Sequence, residues 1–141
     1  MDQSSQNYSV LISDYAGKHF IKSFAKSYKS NWGETLQSII NTAERIDNML
    51  RFSRVDLLKY GDSSKLVKLD FAVVGRKQSP KKSGNRSILF IDEQVRIVHI
   101  LCVYAKTDLP KNQSETQFIL QTVKENFPQL WGKLEDNGDK S

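Results

Sequence analysis

Four cations frame one short stretch of this chain. Lys81, Lys82 and Arg86 lie close together in SPKKSGNR, and Lys106 closes the apolar run RIVHILCVYAK. A guanidinium offers two parallel donors to an anion, whereas an ammonium offers a compact point charge. Side chains of these types, set this close, suit an anion such as phosphate. The surrounding charge points the same way. From Lys65 to Arg86 seven cations (Lys65, Lys68, Arg76, Lys77, Lys81, Lys82, Arg86) face one acid, Asp70, a local +6 in a chain of net charge +5. An excess confined to 22 residues suggests an anion-binding face. Charge alone fits a solvated basic loop equally well.

Whether these residues meet depends on the elements that carry them. SILFID and RIVHILCVYAK are near-continuous apolar runs separated by the acidic turn at Asp92–Gln94, which predicts a hairpin at the centre of a sheet. In an antiparallel pair the start of one strand lies beside the end of the next, so Arg86 and Lys106 should be neighbours. Strict alternation would put Arg86, Tyr104 and Lys106 on one face and His99 on the other. KLVKLDFAVV also alternates, with Val67, Leu69, Phe71 and Val73 pointing one way and Lys68 and Asp70 the other. The glycines, proline and charges of GRKQSPKKSGN mark a loop.

Upstream, YSVLIS reads as a first strand, and Asp14 as the cap of a helix carrying Phe20, Ile21, Phe24 and Tyr28. Asn31 with Glu34 resembles a capping box for a second helix through Leu36, Ile39, Ile40, Ala43 and Ile46. The segment Arg51–Ser64 has no clean period and reads as connection. Ser114 and Gln117 predict a final capped helix with Phe118, Ile119 and Val123 inside it, limited by Pro128. The expected order is β-α-α-β-β-β-α, in one domain over residues 8–130, with residues 1–7 and 135–141 as frayed tails.

At 141 residues and 38% hydrophobic content the chain is large enough to bury a core without staples. Its single cysteine, Cys102, lies in an apolar run and reads as a buried thiol. One cysteine and two distant histidines, His19 and His99, make a zinc site improbable, so neither a metal nor a cofactor is expected. His99 reads as a core histidine and His19 as a surface or packing residue. The start MDQSSQNYS lacks the features of a signal peptide, and no apolar run approaches the roughly 18 residues of a membrane span, so a cytoplasmic protein is expected.

The run KKSGNRSILFID…RIVHILCVYAKTDL…SETQ, with its order of elements, resembles the RelE/ParE superfamily of bacterial toxins, particularly the RelE/HigB-like mRNA interferase branch. The motifs are Lys81-Lys82-Ser83-Gly84, Arg86-Ser87-Ile88-Leu89-Phe90 and Val103-Tyr104-Ala105-Lys106-Thr107-Asp108, and the resemblance spans roughly Tyr8 to Phe127. It implies an α+β fold in which a twisted antiparallel sheet packs against an N-terminal helical hairpin. The other face of that sheet would be open and basic, with a C-terminal helix following. It also implies the toxin of a toxin-antitoxin system: a metal-independent endoribonuclease that cleaves messenger RNA, often on the ribosome, and is neutralised by a cognate antitoxin. Efficient members often carry an arginine after the last central strand and a tyrosine near the C-terminus. Neither residue type occurs after Lys106 here.

Under that resemblance Arg86, Lys106, Lys82 and Lys81 are the candidate catalytic residues. Metal-free RNA cleavage sends the 2′-hydroxyl in line at the adjacent phosphate, and preorganised cations stabilise the charge that develops. Crowding by other cations makes Lys81 or Lys82 a candidate base. Lys65, Lys68, Arg76, Lys77 and Tyr104 are candidate RNA contacts. Two other readings share the fold, a ParE-like inhibitor of DNA gyrase and a noncatalytic RNA-binding module. The phosphate-facing cations argue against the first.

Overall fold

A computed structural model describes residues 7–18, 25–26, 30–50, 52, 54–75 and 77–138. Five strands form one sheet: β1 (Ser9–Ile12), β2 (Val55–Tyr60), β3 (Ser64–Phe71), β4 (Asn85–Asp92) and β5 (Ile97–Ala105). Their spatial order is β1-β5-β4-β3-β2. All neighbours are antiparallel except β1, which runs parallel to β5. The sheet is therefore mixed at one edge, not wholly antiparallel as expected. Among the described residues no helix is long and apolar enough to cross a membrane.

One face of the sheet packs against α2 (Ser30–Glu44) and the short α3 (Ile46–Met49). Trp32, Ile39, Ala43 and Ile46 meet Val67, Leu69, Phe71, Leu89, Ile91, Val98, Ile100 and Val103 in a single apolar cluster. The spacing of Trp32, Leu36, Ile39 and Ala43 keeps these residues on one helical face. Asn31 lies inside the first turn of α2, because the helix already starts at Ser30, so it does not cap the helix as the sequence suggested. Ser13 rather than Asp14 caps α1 (Asp14–Ala16), its hydroxyl accepting from the Ala16 amide at 3.0 Å. Phe20, Ile21, Phe24, Tyr28 and His19 lie outside the described residues.

The second face is not open. It is covered by α5 (Glu115–Asn126) and α6 (Pro128–Gly138), which place Ile119, Val123 and Leu134 on Leu66, Ile88, Phe90, Leu101, Cys102 and Tyr104. Ser114 and Gln117 form the expected capping box, with amide-to-side-chain distances of 3.1 Å in both directions. Pro128 ends one helix and opens the next, as its fixed φ and missing N–H allow at a first helical position. The α6 backbone runs through residues 135–138, part of the stretch expected to fray. It also runs close to the β2–β3 turn, where a Cβ on Gly61 would stand 2.1 Å from the Lys133 carbonyl oxygen.

A bulge in β5 changes its alternation. Ile88 lies opposite Cys102 and Leu89 opposite Ile100, so Leu101 is an extra residue. His99 therefore shares the face of Phe90, with ring centroids 5.9 Å apart, rather than the opposite parity that strict alternation predicts. Its burial holds its pKa below the ordinary value. Cys102 is fully buried, which pushes its thiol pKa up to about 12.

Candidate functional site

The lysine pair stands on a single turn of helix, α4 (Pro80–Ser83). Ser79 caps it, accepting from the Lys82 amide at 3.3 Å, and Pro80 supplies the first helical φ. Gly84 ends it at φ 78°, a left-handed conformation that glycine adopts without strain. The Ser83 hydroxyl lies within hydrogen-bonding distance of the Phe71 and Pro80 carbonyls, 2.5 and 2.7 Å away, and accepts from the Asn85 amide. These contacts pin the turn to the end of β3 and the start of β4. Lys81 and Lys82 themselves stay exposed.

Lys106 arrives beside this turn from β5, at the start of a 3₁₀ turn (Lys106–Asp108). Its amide donates to the Gly84 carbonyl at 2.7 Å, and a Cβ on Gly84 would stand 3.9 Å from its Cβ. Its side chain is exposed. Lys77 is exposed further out on the same loop, and Arg76 lies outside the described residues. One end of the sheet thus presents Lys81, Lys82 and Lys106 on backbone that is hydrogen-bonded together.

Arg86 is a different matter. It is only 6% exposed, and its Nε lies 3.0 Å from Asp70 Oδ1 and 3.6 Å from Glu115 Oε2. Asp70 sits directly across β3–β4 from Arg86, just as Tyr104 sits across β4–β5. The guanidinium donates from Nη1 to the Asn85 carbonyl at 3.0 Å and, more loosely, from Nη2 to the Lys81 carbonyl at 3.5 Å. The Nε–Oδ1 approach is close but misaligned, and among the described residues neither atom has a hydrogen-bond partner. Burial raises the pKa of Asp70, and the nearby Arg86 and Lys68 only partly offset this.

Glu115 closes the cluster from the first turn of α5. Its Oε2 accepts from the Tyr104 hydroxyl at 2.7 Å, and its Oε1 lies 3.4 Å from Lys68 Nζ. Lys68 also lies 3.6 Å from Asp56 Oδ2. Burial pushes Glu115 upward, but the Tyr104 hydroxyl, Lys68 and Arg86 outweigh it and hold its pKa below the ordinary value. Burial, then the Glu115 carboxylate, raises the pKa of Tyr104. Two cations here face three carboxylates.

The structure thus divides the candidates the sequence grouped together. Lys81, Lys82 and Lys106 converge on an exposed end. Arg86 and Tyr104 share a face, as expected, but both are buried beneath α5, in an ionic cluster that the half-buried Lys68 joins. Lys65 belongs to neither group. It stands opposite Ile91 at the far end of β3, turned to the other face and ion-paired with Glu93. Asp56, Asp70 and Glu115 were the participants the sequence reading missed. Asp70 alone left a signal, since alternation already placed it on the face of Lys68. Among the described residues no group of three or more His, Cys, Asp or Glu side chains is placed to hold a metal ion.

No family model and no curated protein matches the chain. Among solved structures it is similar to a chain described as the crystal structure of an archaeal RelE-RelB complex from Pyrococcus horikoshii OT3. The two are 14% identical, the match covers 73% of this chain and 99% of the other, and the TM-score is 0.49. That is a distant likeness.

Proposed function

We propose that this chain is a toxin of a toxin-antitoxin system that binds messenger RNA through Lys81, Lys82 and Lys106 and cleaves it without a metal, in association with the ribosome. The observation that carries this reading is the joining of the exposed α4 lysines to Lys106 through the Gly84–Lys106 hydrogen bond. Cations held by rigid backbone at a phosphate stabilise developing charge with little reorganisation, usually a large contribution to rate. Lys77 adds longer-range attraction for the RNA backbone. Arg86 serves in this arrangement as a positioning residue: its bonds to the Asn85 and Lys81 carbonyls hold the turn that carries the lysines. The motif resemblance to RelE/HigB-like toxins supports the substrate class.

The partner proposed is an antitoxin with an acidic segment over the lysine end. Such an interface is steered by charge, so its affinity should fall as salt rises.

A noncatalytic RNA-binding module is the second reading, favoured by the burial of Arg86 against Asp70. The test is to add the purified protein to a reconstituted translation reaction, map new messenger RNA 5′ ends, and assay gyrase supercoiling alongside. New 5′ ends with unimpaired supercoiling support the ribonuclease. Bound but intact messenger RNA favours the second reading, and gyrase inhibition alone moves the protein to a ParE-like role.

A further inference from the structure

Glu115 holds a position that a phosphate would suit. Three donors converge on its two carboxylate oxygens: Lys68 Nζ at 3.4 Å from Oε1, and the Tyr104 hydroxyl at 2.7 Å and Arg86 Nε at 3.6 Å from Oε2. An ammonium, a guanidinium and a hydroxyl make a characteristic donor set for a phosphodiester, whose two nonbridging oxygens share one negative charge as a carboxylate does. Arg86 Nε also lies 3.0 Å from Asp70 Oδ1, yet among the described residues it makes no aligned hydrogen bond, so this donor is incompletely used. The cluster also adjoins the exposed lysines, because Arg86 Nη2 reaches the Lys81 carbonyl. Glu115 itself lies at the rim, its side chain 15% exposed against 7% for Arg86. It sits in the first turn of α5, after a mostly exposed connection from Lys106.

We propose that Lys68, Arg86 and Tyr104 form a second phosphate subsite, that Glu115 occupies it as a resident anion, and that single-stranded RNA fills it by displacing Glu115. This rests on the RNA reading above. The exposed lysines capture the strand, and a neighbouring phosphate then competes with the Glu115 carboxylate for the buried donors. The exchange conserves charge in the cluster, so Lys68 and Arg86 are not left unpaired at any stage. It also gives the protein a low-affinity closed state and a high-affinity open one, with α5 as the part that moves.

The test uses a labelled single-stranded RNA oligonucleotide, titrated by fluorescence anisotropy at several salt concentrations. Glu115→Gln keeps an acceptor for the Tyr104 hydroxyl but removes the competing charge. It should bind about tenfold more tightly than wild type near 0.1 M salt, because the phosphate no longer competes with a carboxylate, with a similar salt slope, since the number of phosphate contacts is the same. Glu115→Gln combined with Lys68→Gln should lose most of that gain. If Glu115→Gln fails to fold, hydrogen exchange in the wild-type protein decides: RNA should speed exchange at the Glu115–Phe118 amides. Wild-type binding that Glu115→Gln leaves unchanged or weakens overturns the subsite alone, as does slowed or unaltered exchange at those amides. If neither protein binds RNA, the RNA reading fails and the subsite with it.

Discussion

Two groups of cations adjoin at the end of this sheet, and they differ in surroundings rather than in kind. Lys81, Lys82 and Lys106 stand in water on a hydrogen-bonded turn. Lys68 and Arg86 lie beneath α5, held by Asp56, Asp70 and Glu115. The first group retains its charge for a ligand. The second spends most of its charge on the fold. A count of basic residues cannot separate the two, because availability depends on which acids the strand register and a later helix bring alongside.

The sharpest way to break this contrast is to remove a buried charge. Arg86→Ala leaves Asp70 and Glu115 without their shared cation and should cost about 3–5 kcal/mol, read from the urea midpoint. A variant as stable as wild type would show that Arg86 is not a structural cation. Tyr104→Phe removes a hydrogen bond to a carboxylate and should cost about 1.5–3 kcal/mol in the same measurement. Ser114→Ala deletes the cap that fixes α5 beside Glu115 and should cost about 1 kcal/mol.

The pH dependence of stability sharpens the contrast further. The folded-state pKa of Glu115 lies below the ordinary value, so its contribution is present at neutral pH and is lost as pH falls through the folded value. Asp70 has the opposite sign, its raised pKa favouring the fold only while the carboxyl is protonated. Denaturation midpoints of Glu115→Gln should therefore fall less steeply than wild type on acidification below about pH 5. The smallest effect belongs to the exposed group. Lys81→Ala with Lys82→Ala should change stability by no more than about 0.5 kcal/mol.

The lysine segment was legible only as a loop, from its glycines, proline and charges; the single helical turn that Ser79-Pro80 starts and Gly84 ends is too short to show a period. The β4–β5 pairing was legible because its signals are local, two apolar runs flanking an acidic turn. Strand β2 was not, since it is a short edge strand with a register shift between Leu57 and Lys59 and no clean apolar period. The facing of His99 was hidden by the bulge at Leu101, which no residue type announces. Helix α6 was missed because Pro128 was read only as a stop. The burial of Arg86 needed two partners from distant segments, Asp70 by strand register and Glu115 by the docking of α5. Neither follows from local pattern.

Under the proposed function the exposed lysines carry the phosphate chemistry. Its most direct test compares wild type with a Lys81→Ala, Lys82→Ala, Lys106→Ala variant in a reconstituted translation reaction, measuring the rate at which new messenger RNA 5′ ends appear. Wild type should cleave, and the variant, folded by circular dichroism with an unchanged urea midpoint, should be slower by at least about 10²-fold, the scale of losing one preorganised donor. A folded variant that cleaves at the wild-type rate would take the lysines out of the chemistry.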